Sequence, residues 1–349
     1  MLIVLLSRKG HFYWLALSLF YSQLVHAEPW YAGPILSDPA VVTPIGHGFF
    51  QIHTYKTSNY GVYDIDYVFE PLPYATTGEI DLTLNYGITS NTEFQIFLTY
   101  LDNATEGQKS SNLGDTMLTI ATQLTLQNDK KWPPNIKLFY RQLFPTGRYD
   151  NLNGNLLGTD ATGQGSYLSS LAMNMEHVSE IFPGKYLVGF ATVTFTYAPK
   201  IRLNSYNIYG GGEDTSGSMW PGNSMAFNLA FEYCPSQHWG FILESYIYSQ
   251  KASKFDGDSG TVTERFNYSS ILRHRRFAGI IFNRLRPSSL NFGSEDYIGH
   301  GNIALFSFAP AVDYSFTKNV SLTMGCWFSA AGKHSPAFYS PMVVFTANW

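Results

Sequence analysis

Apolar and polar residues alternate strictly along most of this chain. In residues 79–88, Ile80 and Leu82 fall on one face and Glu79 and Asp81 on the other. The same period of two returns in residues 92–101, 114–126, 135–141, 225–233, 312–316, 319–329 and 342–349. Successive side chains of a β-strand point to opposite faces, so each segment predicts a strand with one apolar and one polar face.

Short and long connections join these strands in turn. The short ones are residues 89–91, 128–134, 235–237 and 317–319, and the long, polar ones are 102–113, 145–164, 198–223, 250–300 and 330–338. Strands of about ten residues joined in this way are typical of a bacterial outer-membrane barrel. We therefore predict an all-β fold, a transmembrane antiparallel β-barrel over residues 48–349, with twelve strands, or fourteen if residues 262–285 add a hairpin. A soluble β-sandwich or a periplasmic lectin is the alternative, because it would show the same alternation.

Aromatic residues favour the barrel over the sandwich. Several lie at predicted strand ends, where an interfacial belt requires them: Tyr86, Tyr100, Tyr167, Tyr197, Trp239 and Tyr248. The chain also ends on an alternating strand in which Val343, Phe345 and Trp349 share a face. An aromatic last residue on such a strand resembles the signal read by the barrel-assembly machinery. We expect that machinery, outer-membrane lipid and lipopolysaccharide as partners.

The N-terminal residues predict export. Arg8 and Lys9 precede a short apolar run that ends before Ala27, which is the layout of a cleaved signal peptide over residues 1–27. An uncleaved anchor is the alternative. Residues 28–47 contain four prolines, and we expect them to form a tail that stays in the periplasm or enters the lumen. The predicted location is the bacterial outer membrane.

Composition excludes several other classes of protein. Charged residues make up only 14% of the chain, against about 25% in soluble proteins. A net charge of -4 argues against nucleic-acid binding, and two cysteines are too few for a disulfide scaffold or a zinc module. The sequence has no nucleophile elbow, zinc-protease motif or nucleotide-binding loop. We expect no enzyme activity, catalytic residue, metal or cofactor, and we interpret His334 and Ser335 as a solvated loop pair.

Eight polar residues are the candidate lining of the lumen. By alternation they lie on the polar faces of their strands: Glu93, Gln95, Lys137, Arg141, Glu176, Glu232, Glu244 and Asp313. A charge on the lipid face costs about 2–4 kcal/mol near the bilayer midplane, so the charged members should point inward. Charges in the lumen could select solutes. The alternative is a closed interior held together by ion pairs.

Several short motifs occur in an order that resembles one known family. Residues 113–115 (LGD) open a strand, residues 144–150 (FPTGRYD) follow the next one, and residues 158–167 (GTDATGQGSY) lead into another. With residues 308–310 (FAP) before the second-last hairpin, this order resembles the outer-membrane family of the "MetA pathway of phenol degradation", whose members are regarded as transporters. The resemblance covers most of residues 78–349. It implies transport of aromatic or hydrophobic compounds and carries over no binding residue.

Pattern and resemblance together predict an outer-membrane channel or transporter. It would serve passive uptake or efflux of small solutes, hydrophobic or aromatic ones included. The main alternative is a structural or surface-interaction barrel with a closed lumen, and a lipid-modifying barrel enzyme is the third hypothesis. Ion conductance separates the first two, because a closed barrel would be electrically silent.

Overall fold

A computed structural model describes residues 29–128, 132–260 and 298–349 of the chain. In chain order its strands are β1 (Gly48–Tyr63), β2 (Phe69–Thr89), β3 (Thr92–Thr105), β4 (Gln108–Leu113), β5 (Thr116–Thr125), β6 (Asn135–Phe144), β7 (Ser169–Phe182), β8 (Lys185–Tyr197), β9 (Ile201–Asn204), β10 (Ser216–Trp220), β11 (Ser224–Cys234), β12 (Trp239–Gln250), β13 (Lys254–Asp258), β14 (Ile303–Thr317), β15 (Val320–Lys333) and β16 (Ser335–Asn348). Within these residues, no helix is long and apolar enough to cross a membrane.

Twelve of these strands close into an antiparallel barrel, which confirms the predicted fold class. Each barrel strand pairs with its two neighbours in chain order, and β1 pairs with both β2 and β16 to close the cylinder. In that seam Phe50 lies opposite Ala347 and Ile52 opposite Phe345. Closure leaves no free sheet edge, as a strand-built membrane span requires. The fourteen-strand alternative and the signal peptide depend on residues 262–285 and 1–27, which lie outside the described residues.

Alternation divides the side chains of the barrel into two sets. Apolar residues such as Ile80 and Leu243 point outward and are about half exposed, whereas Glu244, next to Leu243, is completely buried in the lumen. The prediction of the aromatic belt is wrong for one residue. Tyr248 is buried, because it has the same parity on β12 as Glu244 and therefore points into the lumen. Strand parity decides the direction of a side chain, and its chemical type does not.

The two ends of the barrel differ. Gly48, Trp349 and the short turns lie at one end, which we call the turn end, and the long loops lie at the other, the loop end. At the loop end β3 and β4 form a hairpin whose two turn residues, Glu106 and Gly107, have φ of 45° and 81°. Positive φ at both positions is characteristic of a type I′ turn. Also at the loop end, β10 pairs with both β9 and β13 in a small separate sheet.

Candidate functional site: the lumen and its N-terminal segment

Residues 29–47, which we call the N-terminal segment, lie inside the barrel. The segment enters at the turn end, where the Trp30 N–H donates to the Gln237 carbonyl at 3.1 Å. It leaves at the same end, where Gly46 and Gly87 share a hydrogen bond of 3.1 Å. Between these points Leu36 is 1% exposed and reaches the middle of the lumen. The segment is therefore a loop of chain that occupies much of the lumen and joins the wall only through one isolated bridge, between Ile45 and Gly87.

Two wall carboxylates bind the ascending half of this loop through its main chain. Glu244 Oε2 accepts hydrogen bonds from the N–H groups of Ile35 and Leu36, at 3.0 and 2.9 Å. Glu232 Oε2 accepts one from the N–H of Gly33 at 3.2 Å. Hydrogen bonds of this kind contribute about 0.5–1.5 kcal/mol each. Because the donors are main-chain groups, a change of side chain in the segment leaves them in place.

Two more carboxylates hold the rest of the segment. Glu176 accepts from the Tyr31 hydroxyl at 2.8 Å through one oxygen and from the Ala40 N–H at 3.3 Å through the other. Glu93 Oε2 accepts from the Thr43 N–H at 2.7 Å. Acidic residues from four wall strands thus contact the segment along its length. Together they fix the path of a proline-rich stretch that has no secondary structure of its own.

The two basic lumen residues are also paired. Lys137 Nζ lies 2.9 Å from Glu93 Oε1 and donates to the Val41 carbonyl at the same distance. Arg141 forms an ion pair with Asp38 of the N-terminal segment. Lys137 therefore joins two wall strands to each other and to the segment, whereas the ion pair of Arg141 joins the wall to the segment. Both basic side chains are 1% exposed, but only the Lys137–Glu93 pair is fully buried, because the Asp38 side chain is 24% exposed.

All eight predicted lumen residues lie on inward positions and are buried. Gln95 donates to Glu93 Oε1 at 3.2 Å, and Asp313 accepts from the Thr323 hydroxyl at 2.7 Å. The candidate set omitted Glu79 and Asp81, which are also buried and inward, although the alternation already placed them on the polar face. It also omitted Asp38 of the N-terminal segment. No signal pointed to Asp38, because the segment has no periodicity.

A cavity remains between the N-terminal segment and the part of the wall formed by β1, β2, β3, β5, β6, β15 and β16. Polar side chains line much of it, together with the charged pair of Arg141 and Asp38: Gln51, His53, Thr83, Gln95, Thr323 and Thr346. Gln51 and Thr346 also line a second cavity that lies toward the turn end beside Trp30. The two cavities follow one side of the segment, and most of the carboxylates that bind it lie on the other side.

The loop half of the lumen contains a large apolar cluster. Large side chains bury one another there: Phe97, Met117, Leu143, Leu168, Tyr246, Tyr248, Leu305, Trp327, Phe338 and Met342. The indole N–H of Trp327 donates to the Ser307 hydroxyl at 2.9 Å, so its polar atom is satisfied inside this cluster. The lumen therefore has a carboxylate-rich half toward the turn end and an aromatic half toward the loop end.

Above the aromatic half lies what we call the loop cap, formed by residues 145–168, residues 201–220 with β9 and β10, β13 and Ile298. Asp115 anchors it, since its two carboxylate oxygens accept from the N–H groups of Gly147 and Gln164, both at 2.9 Å. Asn103 on the inner wall donates to the carbonyls of Thr159 and Ala161, both at 3.0 Å. These contacts draw the cap against the inner face of β3.

The cap has a small apolar core of its own, which contains Leu152, Ile201, Leu203, Tyr206, Ile208, Tyr209, Met219 and Ile298. Tyr149 packs against this core, and burial there, with the neighbouring Asp150 carboxylate, raises the pKa of its hydroxyl. A loop with its own core holds one shape. The cap is therefore a structured cover of the loop end.

The three residues of the predicted assembly signal lie on the outer face of β16. Trp349 is 53% exposed at the turn end, and Val343 and Phe345 lie above it on the same face. Trp349 exchanges main-chain hydrogen bonds with Gly48 at 3.0 and 3.2 Å. The last residue is thus joined to the first strand, next to the point where the N-terminal segment enters the barrel.

Two further observations concern metal ligands and the histidine at residue 334. They contain no group of three or more histidine, cysteine or acidic side chains placed to hold a metal ion. His334 has a φ of 45° in the turn between β15 and β16, and its Nδ1 lies 3.1 Å from the Asn302 carbonyl oxygen. That geometry makes His334 a turn residue. The expectation of a solvated loop pair is wrong for Ser335, which begins β16 and is 0% exposed.

Comparison with solved structures identifies barrels of the same class. The COG4313 outer membrane channel from Pseudomonas putida F1 is similar over 90% of this chain and 100% of that one, with a TM-score of 0.62 and 13% identity. The NanC porin is similar over 85% of this chain and 98% of that one, with a TM-score of 0.42 and 7% identity. The transport unit of the autotransporter AIDA-I from Escherichia coli is similar over 94% of this chain and 97% of that one, with a TM-score of 0.42 and 9% identity.

At these identities only the first likeness carries an argument, and it concerns the fold. The chain has the fold of an outer-membrane β-barrel channel. No family model matches the sequence, and no curated protein matches it.

Proposed function

We propose that this protein is a gated outer-membrane channel whose N-terminal segment closes its own lumen. One observation carries the proposal. The segment enters and leaves at the turn end and is bound by hydrogen bonds and ion pairs, without any backbone ladder along the wall except one isolated bridge between Ile45 and Gly87. It can therefore withdraw while every barrel strand keeps both of its partners.

The lining supports small solutes with an apolar or aromatic part as cargo. The loop half of the lumen presents aromatic and aliphatic side chains around Trp327 and Phe338, which would favour such solutes over sugars. The resemblance to the phenol-degradation family suggests the same class. Passage would be passive, since no nucleotide-binding motif occurs in the sequence.

A structural barrel with a permanently closed lumen is the second candidate. The observation that favours it is the filling of the lumen from both sides, by the N-terminal segment below and by the aromatic cluster above. The two candidates differ in whether the segment ever leaves. A measurement of conductance with the segment weakened therefore separates them.

The test removes the main-chain donors that hold the segment. Replacing Ile35 and Leu36 together with proline deletes both N–H groups bound to Glu244, whereas replacing both with alanine shortens the same side chains and keeps the donors. In planar bilayers we expect the proline variant of the full chain to conduct at least tenfold more than the alanine variant. Folding is checked by heat-modifiable migration on gels.

The outcomes are distinct. A proline variant that is folded and silent would support the closed structural barrel. In a conducting variant, an aromatic alcohol such as phenol should block the ion current at concentrations at which a polyol of similar mass does not. Equal effects of the two solutes would remove the aromatic cargo from the proposal and leave the gate intact.

A further inference from the structure

Four of the seven buried inward carboxylates of the described wall strands lie on one side of the wall. Glu176, Glu232, Glu244 and Asp313 lie on β7, β11, β12 and β14, which together with β8 form one continuous part of the sheet. All four side chains are at most 1% exposed. The N-terminal segment lies between this acidic wall and the cavity on the opposite side of the lumen.

The partners of this wall show what it binds. The groups that the segment presents to Glu176, Glu232 and Glu244 are hydrogen-bond donors, namely main-chain N–H groups and the hydroxyl of Tyr31. In the closed barrel, donors of the N-terminal segment therefore bind the carboxylates of this wall, and the proposed gating would remove those donors. On the far side of the segment the cavity is lined by the amide of Gln51, the hydroxyl of Thr83 and the ion pair of Arg141 with Asp38.

Withdrawal of the segment would change the charge of the lumen surface. Among the described wall residues, seven buried inward carboxylates, the four named above with Glu79, Asp81 and Glu93, stand against Lys137 and Arg141, an excess of five acids. Asp38, which pairs with Arg141, would leave with the segment. Carboxylic acids in contact with water are ionised at neutral pH, and a lumen with one sign of charge concentrates ions of the opposite sign.

We propose that the N-terminal segment masks a cation-selective surface, so that the opened channel admits cations, organic ammonium solutes included, and excludes anions. This inference rests on the proposed gating function and adds to it the charge of the permeant solute. Selectivity would then depend on the state of the gate. In the closed channel the segment covers the carboxylates of Glu176, Glu232 and Glu244, and in the open one these carboxylates face the lumen.

The first experiment measures reversal potentials in a potassium chloride gradient. We expect the Ile35→Pro/Leu36→Pro variant to pass potassium at least fivefold better than chloride. Adding Glu232→Gln and Glu244→Gln should reduce that ratio at least twofold, whereas Glu213→Gln, an exposed carboxylate of the loop cap, should leave it unchanged. A permeability ratio near or below one in a conducting variant would overturn the inference.

The second experiment uses a thiol of the native chain as a reporter. Cys234 is 1% exposed, packs with Tyr31 of the segment and lies 3.9 Å from Glu232 Oε1. In a Cys326→Ser background, which removes the other cysteine, the parent should resist both a cationic and an anionic methanethiosulfonate reagent. In the proline variant both should react, and the cationic reagent should be at least tenfold faster after each rate is divided by its rate with free cysteine.

These readouts separate the inference from the function on which it rests. Silence in bilayers together with a protected Cys234 overturns both, because no open state then forms. Conductance and thiol modification without a preference for cations overturn only the inference. If the proline variant does not fold, Gly87→Ala displaces the segment by another route, argued below, and the same two measurements apply to it.

Discussion

At the scale of single residues, strand parity determines which charges the lumen holds, and tertiary contacts determine what each charge does. Alternation alone placed Lys137 and Glu93 on inward faces. It could not show that they lie 2.9 Å apart, because that contact spans two strands separated by β5. Alternation also could not show that Arg141 pairs with Asp38, because Asp38 belongs to a segment in which apolar and polar residues do not alternate.

The buried pair of Lys137 and Glu93 gives the first prediction. Lys137→Met leaves the Glu93 carboxylate buried without its cation, and breaking a buried pair in this way costs about 3–5 kcal/mol. We expect that loss in the free energy of unfolding, measured by urea titration of the barrel in detergent micelles. The double variant Lys137→Met/Glu93→Gln should recover more than half of the loss, because no unpaired charge remains. If the double variant loses as much stability as the single variants Lys137→Met and Glu93→Gln lose together, the pair contributes nothing.

At the scale of elements, the strands were predictable and the segment inside them was not. The wall strands follow a local rule, since each needs an apolar face for lipid and a polar face for the lumen. The N-terminal segment has no such rule, and its four prolines indicated only irregular chain. Its position comes from contacts with residues as distant as Glu244, more than 200 positions along the chain.

The second prediction concerns the place where this segment meets the wall. A Cβ atom on Gly87 would lie 2.2 Å from the Pro44 carbonyl oxygen and 2.4 Å from that of Thr43. Since β2 is paired on both sides, the segment is the part that must move. We therefore expect Gly87→Ala to raise bilayer conductance at least tenfold while the barrel stays folded.

Gly78 provides a matched control on the same strand. A Cβ atom there would meet nothing closer than 3.6 Å, so Gly78→Ala should leave conductance at the parent value. Because neither substitution alters a charge, the comparison isolates displacement of the segment from electrostatics. A folded Gly87→Ala barrel as silent as the parent would mean that the segment can leave this contact and still close the lumen.

At the scale of the whole molecule, two closures lie in series along one path. The N-terminal segment fills the carboxylate half of the lumen, and the aromatic cluster with the loop cap closes the loop end. The barrel wall was predictable, because its strands repeat one alternation of apolar and polar residues. The two closures inside it were not predictable, because both come from long-range contacts of irregular chain.

The last prediction follows from this serial arrangement. Asp115→Ala removes the acceptor for the N–H groups of Gly147 and Gln164, which should release residues 145–168 from the inner wall. Resistances in series add, so releasing the cap alone should change conductance little while the segment remains bound. In the Ile35→Pro/Leu36→Pro background, however, Asp115→Ala should raise conductance further, and the gain should exceed that of Asp115→Ala alone. Asp214→Ala, at an exposed carboxylate outside this contact, is the control and should add nothing in either background. Equal gains from Asp115→Ala with the segment bound and with it displaced would show that the loop end and the lumen do not form one path.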